Sequence, residues 1–299
     1  MTFKISLRRL LANHPFLYDL YVRSLASVLA EKRVEADWAR KYRIAKNHLL
    51  ETDSRIIEME GIKLEIDPSS NHDLLFYYLW LNGLTYEKET VRILSDIAKG
   101  RSVFVDVGAN SGFYSLLASK IMGEAAKIYS FEPWPNSYAR LLNNVRLNGF
   151  RNIFTYRTAL GDREESRVMY SYPLSDGQNS LVKIPNARAH EIVQVKRLDD
   201  VLPDAKVDVI KIDVEGFELN VLKGATNILK RNHQIVCIME FSMGLQRLNK
   251  IYPHEIFNFL KTLGFRFFWI GDELLEFKGS GDIPGVIGNM IVTRRLGPI

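Results

Sequence analysis

The chain has 299 residues, of which 46% are hydrophobic, and a formal net charge of +5. This is enough apolar material for a full core in one large domain, with or without an appendage, and the absence of repeats excludes a repeat array. The single cysteine, Cys237, excludes an internal disulfide. With no secretory signal and no transmembrane segment in the sequence, we expect a cytoplasmic protein.

The net positive charge of the chain comes from the first fifty residues, where ten Lys or Arg stand against four acids. We interpret residues 1–70 as a basic, mainly helical extension and residues 71–299 as the main domain. Within the extension, Phe16–Ala30 has apolar residues on more than one helical face, which favours a helical cap or a homodimer contact. Peripheral contact with an anionic membrane is the next interpretation. Nucleic-acid binding is the least favoured, because no pattern of aromatic and basic residues accompanies the charge.

An aromatic run follows at Leu74–Leu81 (L-L-F-Y-Y-L-W-L). Such a run packs in a core more often than it lines a substrate pocket, and the sequence leaves both uses open.

The strongest motif is a loop between a predicted strand at Ser102–Val107 and a predicted helix at Phe113–Met122. At such a turn the helix N-terminus offers unpaired N–H groups, and glycine lets a ligand approach the backbone. The spacing of Gly108 and Gly112 does not match the dinucleotide fingerprint. The acid before the loop, Asp106, would repel a pyrophosphate but suits a ligand with an ammonium and a sulfonium group, such as S-adenosylmethionine. The alternative is an ordinary turn with a surface aspartate.

The next predicted strand, Lys127–Phe131, is followed by Glu132. A carboxylate at this position is suited to accept hydrogen bonds from a ribose diol, although a solvated glutamate is the alternative. The following segment, Pro135–Asn148, has helical spacing and ends at Gly149. A third strand is predicted at Asn152–Ala159.

The turn Ala159-Leu160-Gly161-Asp162 comes directly after this third strand. We expect it to lie beside the base of a cofactor held by the preceding loops. Asp162 is placed to accept from an adenine amino group, or it serves only the turn.

A fourth predicted strand, Val207–Ile212, leads into the sequence D-V-E-G-F-E. In an extended chain, alternation would place Asp213 and Glu215 on the same side of the backbone, at the end of the sheet where ligands bind. Either carboxylate could orient a substrate or accept its proton. They could also cap the helix predicted to begin near Phe217.

Three further strands complete the pattern. The fifth, His233–Met239, is followed by Glu240, and a helix is predicted at Pro253–Leu263. The last two, Arg266–Ile270 and Asn289–Thr293, are predicted to pair as an antiparallel hairpin with a long loop.

These motifs resemble the FkbM-type family of class I S-adenosylmethionine-dependent methyltransferases. The resemblance covers Tyr86–Ile299. It is carried by F-V-D-V-G-A-N-S-G-F-Y-S-L at Phe104–Leu116, F-E-P-W-P at Phe131–Pro135, A-L-G-D at Ala159–Asp162 and K-I-D-V-E-G-F-E at Lys211–Glu218. The combination of D-V-G-A-N with D-V-E-G is specific, whereas each half alone is weak.

The resemblance implies an α/β fold with a doubly wound, mostly parallel, seven-stranded Rossmann-like sheet. It implies S-adenosylmethionine as cofactor and methyl transfer to a hydroxyl of a carbohydrate or natural product. The cofactor-binding residues implied by the resemblance are Asp106, Gly108, Asn110, Gly112 and Glu132. From their positions we also predict cofactor contacts at Ser111, where family members often have an aliphatic residue, and at Ala159, Leu160, Asp162 and Asp213. The implied catalytic residues are Asp213, Glu215 and Glu240.

For the general base we consider Asp213, Glu215 and Glu240 in that order, followed by His190. We predict no metal, because the sequence lacks a His or Cys ligand spacing. Two other functions stay open: an RNA methyltransferase that grips its substrate with the basic N-terminal segment, and a non-catalytic protein that binds S-adenosylmethionine.

Overall fold

The computed structural model describes residues 32–51, 55–172, 175–183 and 188–295. The predicted helix at Phe16–Ala30 lies outside the described residues, and so do the dimer and membrane contacts expected of it. Among the described residues, no helix combines the length and apolar character needed to cross a bilayer.

The elements alternate between helices and strands over most of the described chain. In chain order the helices are α1 (Lys32–Glu51), α2 (Asn71–Leu81), α3 (Lys88–Ala98), α4 (Phe113–Met122), α5 (Pro135–Asn148), α6 (Leu198–Val201), α7 (Glu218–Gly224), α8 (Thr226–Arg231), α9 (Met243–Leu248) and α10 (Pro253–Thr262). The strands are β1 (Ile56–Met59), β2 (Ile62–Glu65), β3 (Val103–Val107), β4 (Lys127–Phe131), β5 (Ile153–Tyr156), β6 (Ala159–Leu160), β7 (Glu165–Tyr172), β8 (Ser175–Ser180), β9 (Arg188–Lys196), β10 (Val209–Ile212), β11 (Val236–Ser242), β12 (Arg266–Trp269), β13 (Leu275–Phe277) and β14 (Ile287–Thr293).

A large sheet of the order β13-β12-β14-β11-β10-β3-β4-β5 forms the centre of the molecule. Neighbouring strands from β5 to β11 are parallel, whereas β14 runs antiparallel to both β11 and β12. The central strands β3 and β10 are almost entirely buried, because hydrophobic clusters cover both faces of the sheet. Strand order reverses between β3 and β10, and ligands of doubly wound sheets bind beside such a reversal.

The predicted α/β fold with a doubly wound, mostly parallel sheet is confirmed. All seven expected strands are present, and β13 adds a short eighth strand at one edge. The helices α4 and α5 have the predicted bounds and end at Gly123 and Gly149. The third strand is shorter than predicted: it ends at Tyr156, and Ala159–Leu160 pairs in a different sheet.

That different sheet, of the order β6-β9-β7-β8, was not predicted. Its inner side packs on Trp134 and Phe217 through Met169, Val193 and Val195. The sequence signal is weak here, because β8 reads S-D-G-Q-N-S and contains no apolar residue. The sheet matters for function, since β7 and β8 bring side chains to the cavity described below.

The part of the chain assigned to the N-terminal extension contains the helix α1 and an antiparallel hairpin, β1–β2. The hairpin is joined to α5 by asparagine side chains. The Asn144 amide oxygen accepts from the N–H of Glu65 at 2.8 Å, and its NH₂ donates to the carbonyl of Ser111 at 2.9 Å. Asn148 bonds both backbone groups of Lys63. The domain boundary at residue 70 stays a prediction.

Candidate active site

A cavity of about 750 Å³ opens at the carboxyl ends of β3, β4, β10 and β11. Nine of the twelve predicted site residues line it: Gly108, Asn110, Ser111, Glu132, Ala159, Leu160, Asp213, Glu215 and Glu240. The other three, Asp106, Gly112 and Asp162, are not among the lining residues. Sequence motifs more than one hundred residues apart are thus brought together at one site.

The loop after β3 has a backbone that requires glycine at two positions. Gly108 has φ +83°, and a Cβ there would lie 1.8 Å from the carbonyl oxygen of Asp213. Gly112 has φ +94°, and a Cβ there would lie 2.5 Å from Leu141 Cδ1. Asn110 also adopts a positive φ of 47°, and its amide oxygen is buried without a hydrogen-bond partner. Because buried polar atoms are normally paired, this oxygen marks a place for a ligand donor.

Glu132 faces the cavity from the end of β4. One of its carboxylate oxygens accepts from the N–H of Asn110 at 2.8 Å, and the other accepts from the N–H of Trp134 at 2.7 Å. Burial raises the pKa of Glu132 to about 7, although both hydrogen bonds oppose that shift. Each oxygen retains a further lone pair, so the carboxylate can accept two hydroxyl donors from a ligand.

Two of the predicted acids have protein partners instead of a place in the cavity wall. Asp106 accepts from the hydroxyl of Ser115 at 2.6 Å, and burial raises its pKa to about 6 while Lys211 lowers it. Asp162 accepts from the side-chain amide of Asn220 at 3.1 Å. Their direct contacts with a cofactor remain predictions.

The three predicted catalytic carboxylates form one cluster. Oxygen atoms of Asp213, Glu215 and Glu240 lie within 4.8 Å of one another. The alternation expected of an extended chain is not what brings the first two together, because Glu215 has a left-handed backbone with φ 51°. The hydroxyl of Ser180 in β8 donates to the Glu215 carbonyl at 2.7 Å and holds this turn. Carboxylates at such spacing could also bind a cation, and the absence of a metal stays a prediction.

Beside a buried lysine, the three carboxylates of the cluster have pKa values that are shifted in different directions. The Nζ atom of Lys211 donates to Asp213 at 2.6 Å and lies 4.4 Å from the centre of the Tyr114 ring. Burial alone would raise the pKa of Asp213, but Lys211 holds it below its usual range. The pKa of Glu240 is raised, first by the Asp213 charge and then by burial. Burial is the larger cause for the raised pKa of Glu215, followed by Asp213.

The cluster therefore combines an ionised aspartate with two glutamates that bind protons readily. Lys211 was not predicted as a site residue. The available signal was a lysine inside the apolar run V-D-V-I-K-I, because a lysine in a buried strand needs an acidic partner.

Part of the cavity lining comes from residues that the sequence analysis did not assign to the site, among them His72, Phe76, Tyr86 and Glu87. The His72 ring meets Phe76 and Tyr86 edge-on, at centroid distances of 5.0 and 6.0 Å. Glu87 accepts from the Tyr114 hydroxyl at 2.6 Å. Phe76 belongs to the aromatic run at Leu74–Leu81 and is both a core residue and a cavity residue, so this run serves both of the uses left open.

His190, the last candidate for the base, is exposed and does not line the cavity. Its ring packs on Trp134 with a centroid distance of 4.5 Å.

A doubly wound sheet of this strand order, with a cavity and acidic residues at the carboxyl ends of its parallel strands, defines the class I methyltransferase fold. Residues 106–267 match the family model described as the methyltransferase FkbM domain. Since this match spans more than half of the chain, the protein belongs to the FkbM methyltransferase family.

Individual relatives agree with this assignment. The hexuronic acid methyltransferase AglP of Haloferax volcanii is 29% identical over 154 residues, which cover 51% of this chain and 62% of AglP. Methyltransferase sdnD of Sordaria araneosa is 31% identical over 153 residues, covering 40% of this chain and 59% of sdnD. The chain thus spans about 60% of the length of these curated relatives. Among solved structures, the methyltransferase FkbM from Methylobacillus flagellatus is 15% identical, with a TM-score of 0.46 and coverage of 85% of this chain and 58% of that one.

Proposed function

We propose that this protein is an S-adenosylmethionine-dependent O-methyltransferase that acts on a hydroxyl of a carbohydrate or natural-product small molecule. The observation that carries the proposal is the single cavity shared by the Gly108–Ser111 loop, Glu132 and the carboxylate cluster. A carbohydrate acceptor is supported by the name of one relative, the hexuronic acid methyltransferase of Haloferax volcanii.

The residues present fit the cofactor. Gly108 lets the loop pack directly against the Asp213 carbonyl, the Asn110 amide oxygen needs a donor, and Glu132 is placed to accept two ribose hydroxyls. Ala159 and Leu160 would lie beside the base. When bound, S-adenosylmethionine supplies an electrophilic methyl group, and the chain contributes alignment with the acceptor oxygen and exclusion of water.

The carboxylate cluster would receive the proton of the acceptor hydroxyl. Glu240 and Glu215 are suited to this role, because their raised pKa values make them better bases than an ordinary glutamate. Asp213, ion-paired to Lys211, would orient the hydroxyl through its remaining lone pairs. A positioned base contributes about 10²- to 10⁴-fold to the rate of such a step.

The test measures methyl transfer from labelled S-adenosylmethionine to a panel of hydroxylated sugars and phenols, together with calorimetric binding of the product S-adenosylhomocysteine. The variants Glu240→Gln and Glu215→Gln should keep the affinity for S-adenosylhomocysteine, and the variant of the base should lose about a hundredfold or more in kcat. Asp96→Asn, which changes a surface acid outside the cavity, is the matched control.

The outcomes separate the possible functions. A wild-type protein that does not bind S-adenosylhomocysteine would contradict the proposed function. Binding without transfer to any acceptor would instead support a non-catalytic binding protein. Binding of RNA that weakens steeply with salt would favour an RNA substrate.

A further inference from the structure

The cavity is only partly built by the segment that defines the family. The family match covers residues 106–267, whereas Asn71, His72, Phe76, Tyr86 and Glu87 precede it and also line the cavity. We call these five residues the N-terminal wall. The segment matched by the family model supplies the loop and the carboxylates, and the N-terminal wall lies before that segment in the chain.

The N-terminal wall faces the carboxylate cluster. The Tyr86 ring lies 6.4 Å from the Tyr114 ring by their centroids, and Lys211 Nζ contacts the Tyr114 ring while it donates to Asp213. Besides burial and Glu87, the charges of Asp213 and Glu240 raise the pKa of the Tyr86 hydroxyl. An acceptor whose hydroxyl reaches the cluster would therefore contact these side chains.

The chemistry of the wall suits a hydroxylated ring. The partly exposed Tyr86 ring, backed by the buried Phe76 ring at a centroid distance of 4.7 Å, offers an apolar surface for the face of a sugar or an aromatic ring. Asn71, His72 and the carboxylates supply hydrogen-bonding groups for ring substituents. This combination of an apolar surface and a few polar groups is typical of small-molecule sites.

The charge of the lining argues against an acidic acceptor. Five acids line the cavity: Glu87, Glu132, Asp213, Glu215 and Glu240. Among the described lining residues, Lys211 is the only lysine or arginine, and its ammonium is already held by Asp213. A carboxylate on the acceptor would be desolvated in the cavity, and no lysine or arginine among the described lining residues is left to pair with it.

We propose that the N-terminal wall selects the acceptor, and that this acceptor is an uncharged hydroxylated ring, in contrast to the hexuronic acid named for AglP. The proposal rests on the proposed function, because it assumes that the cavity receives both a methyl donor and an acceptor.

The experiment compares acceptors of the same ring type with and without a carboxylate. Paired probes are methyl glucoside with methyl glucuronoside and phenol with 4-hydroxybenzoate, tested for calorimetric binding to protein saturated with S-adenosylhomocysteine and for methyl transfer. The uncharged member of each pair should bind or react at least about tenfold better, because a difference of 1.4 kcal/mol is tenfold. His72→Gln and Asn71→Ala should raise KM for the uncharged acceptor while the affinity for S-adenosylhomocysteine is unchanged. His254→Gln, an exposed histidine outside the cavity, is the matched control.

The failures are distinguishable. A wild-type protein that does not bind S-adenosylhomocysteine contradicts the proposed function itself. If S-adenosylhomocysteine binds but the acidic probes bind equally well or better, or if none of the probes binds or is methylated, the inferred acceptor class is wrong. If the His72 and Asn71 variants behave like the His254 control, the N-terminal wall does not select the acceptor.

Discussion

Replacing Lys211 by methionine should destabilise the protein because it leaves the Asp213 carboxylate without its cation. The two side chains are 2% and 23% exposed and their charged atoms are 2.6 Å apart. Removing one partner of a buried pair costs about 3–5 kcal/mol, and we expect about 3 kcal/mol here because Asp213 is partly exposed. Methionine retains most of the apolar stem, so the loss reports mainly on charge.

The loss of stability caused by Lys211→Met should increase as the pH rises. In the wild type the folded-state pKa of Asp213 is below its unfolded value of about 3.9, so the stabilisation is present above that pH and lost as the pH falls further. Without Lys211, burial and the neighbouring glutamates should raise the pKa of Asp213 above the unfolded value. The Lys211→Met variant should therefore lose stability as the pH rises, and its difference from the wild type should widen.

Urea unfolding near pH 5 and near pH 8 measures this difference, and the double variant Lys211→Met/Asp213→Asn completes the cycle. Asp213→Asn should restore about 1–3 kcal/mol in the Lys211→Met background, which is the range of coupling energies for residues in contact. An equal loss at both pH values, or a double variant whose two losses simply add, would refute an electrostatic role of Lys211.

Three further substitutions test the cofactor side of the site. Glu132→Gln should weaken S-adenosylmethionine binding about tenfold to a hundredfold in calorimetry, because a hydrogen bond to a charged group contributes about 1.5–3 kcal/mol. Since the pKa of Glu132 is raised to about 7, the affinity of the wild type should increase as the pH rises through that value. An affinity that does not change with pH would count against ribose binding by Glu132. Gly108→Ala should abolish cofactor binding and lower Tm, because its Cβ would clash with the carbonyl of Asp213, whereas Gly100→Ala, also at positive φ but with no atom within 4 Å, should lower Tm only slightly; similar results for both variants would contradict the close-approach argument. Asp106→Ala should weaken cofactor binding about tenfold or more, because the contact predicted from the sequence would be lost. Since Asp106 bonds to Ser115 and does not line the cavity, unchanged affinity would contradict that contact.

Much of the fold and part of the site could be predicted because local signals agreed with tertiary structure. Apolar runs in the strands, and glycines after α4 and α5, gave the element bounds closely. Asp213 and Glu240 were found because an acid directly after a buried strand, or close to its end, is visible in the sequence. That they meet follows from the common edge at which parallel strands end.

Other features depend on contacts that the sequence does not display. The second sheet was missed because β8 lacks apolar residues and pairs through its backbone. His72 and Glu87 were missed because the tertiary fold alone brings α2 and the segment after it to the cavity. The hydrogen bond from Ser115 to Asp106 is likewise visible only in the fold, and the contact of Asp106 with a cofactor stays a prediction.

One asparagine links the N-terminal hairpin to the glycine loop of the site. Asn144 is 1% exposed and joins the backbone of Glu65, in the hairpin, to the backbone of Ser111, in the glycine loop. Removing the hairpin would take the Glu65 N–H away from this buried amide and leave the amide oxygen without its donor, while the bond to the Ser111 carbonyl would remain. A chimera that carries the N-terminal segment of a relative, made to exchange acceptor preference, would therefore have to preserve these two hydrogen bonds of Asn144. Otherwise it would disturb the glycine loop that we propose binds the methyl donor.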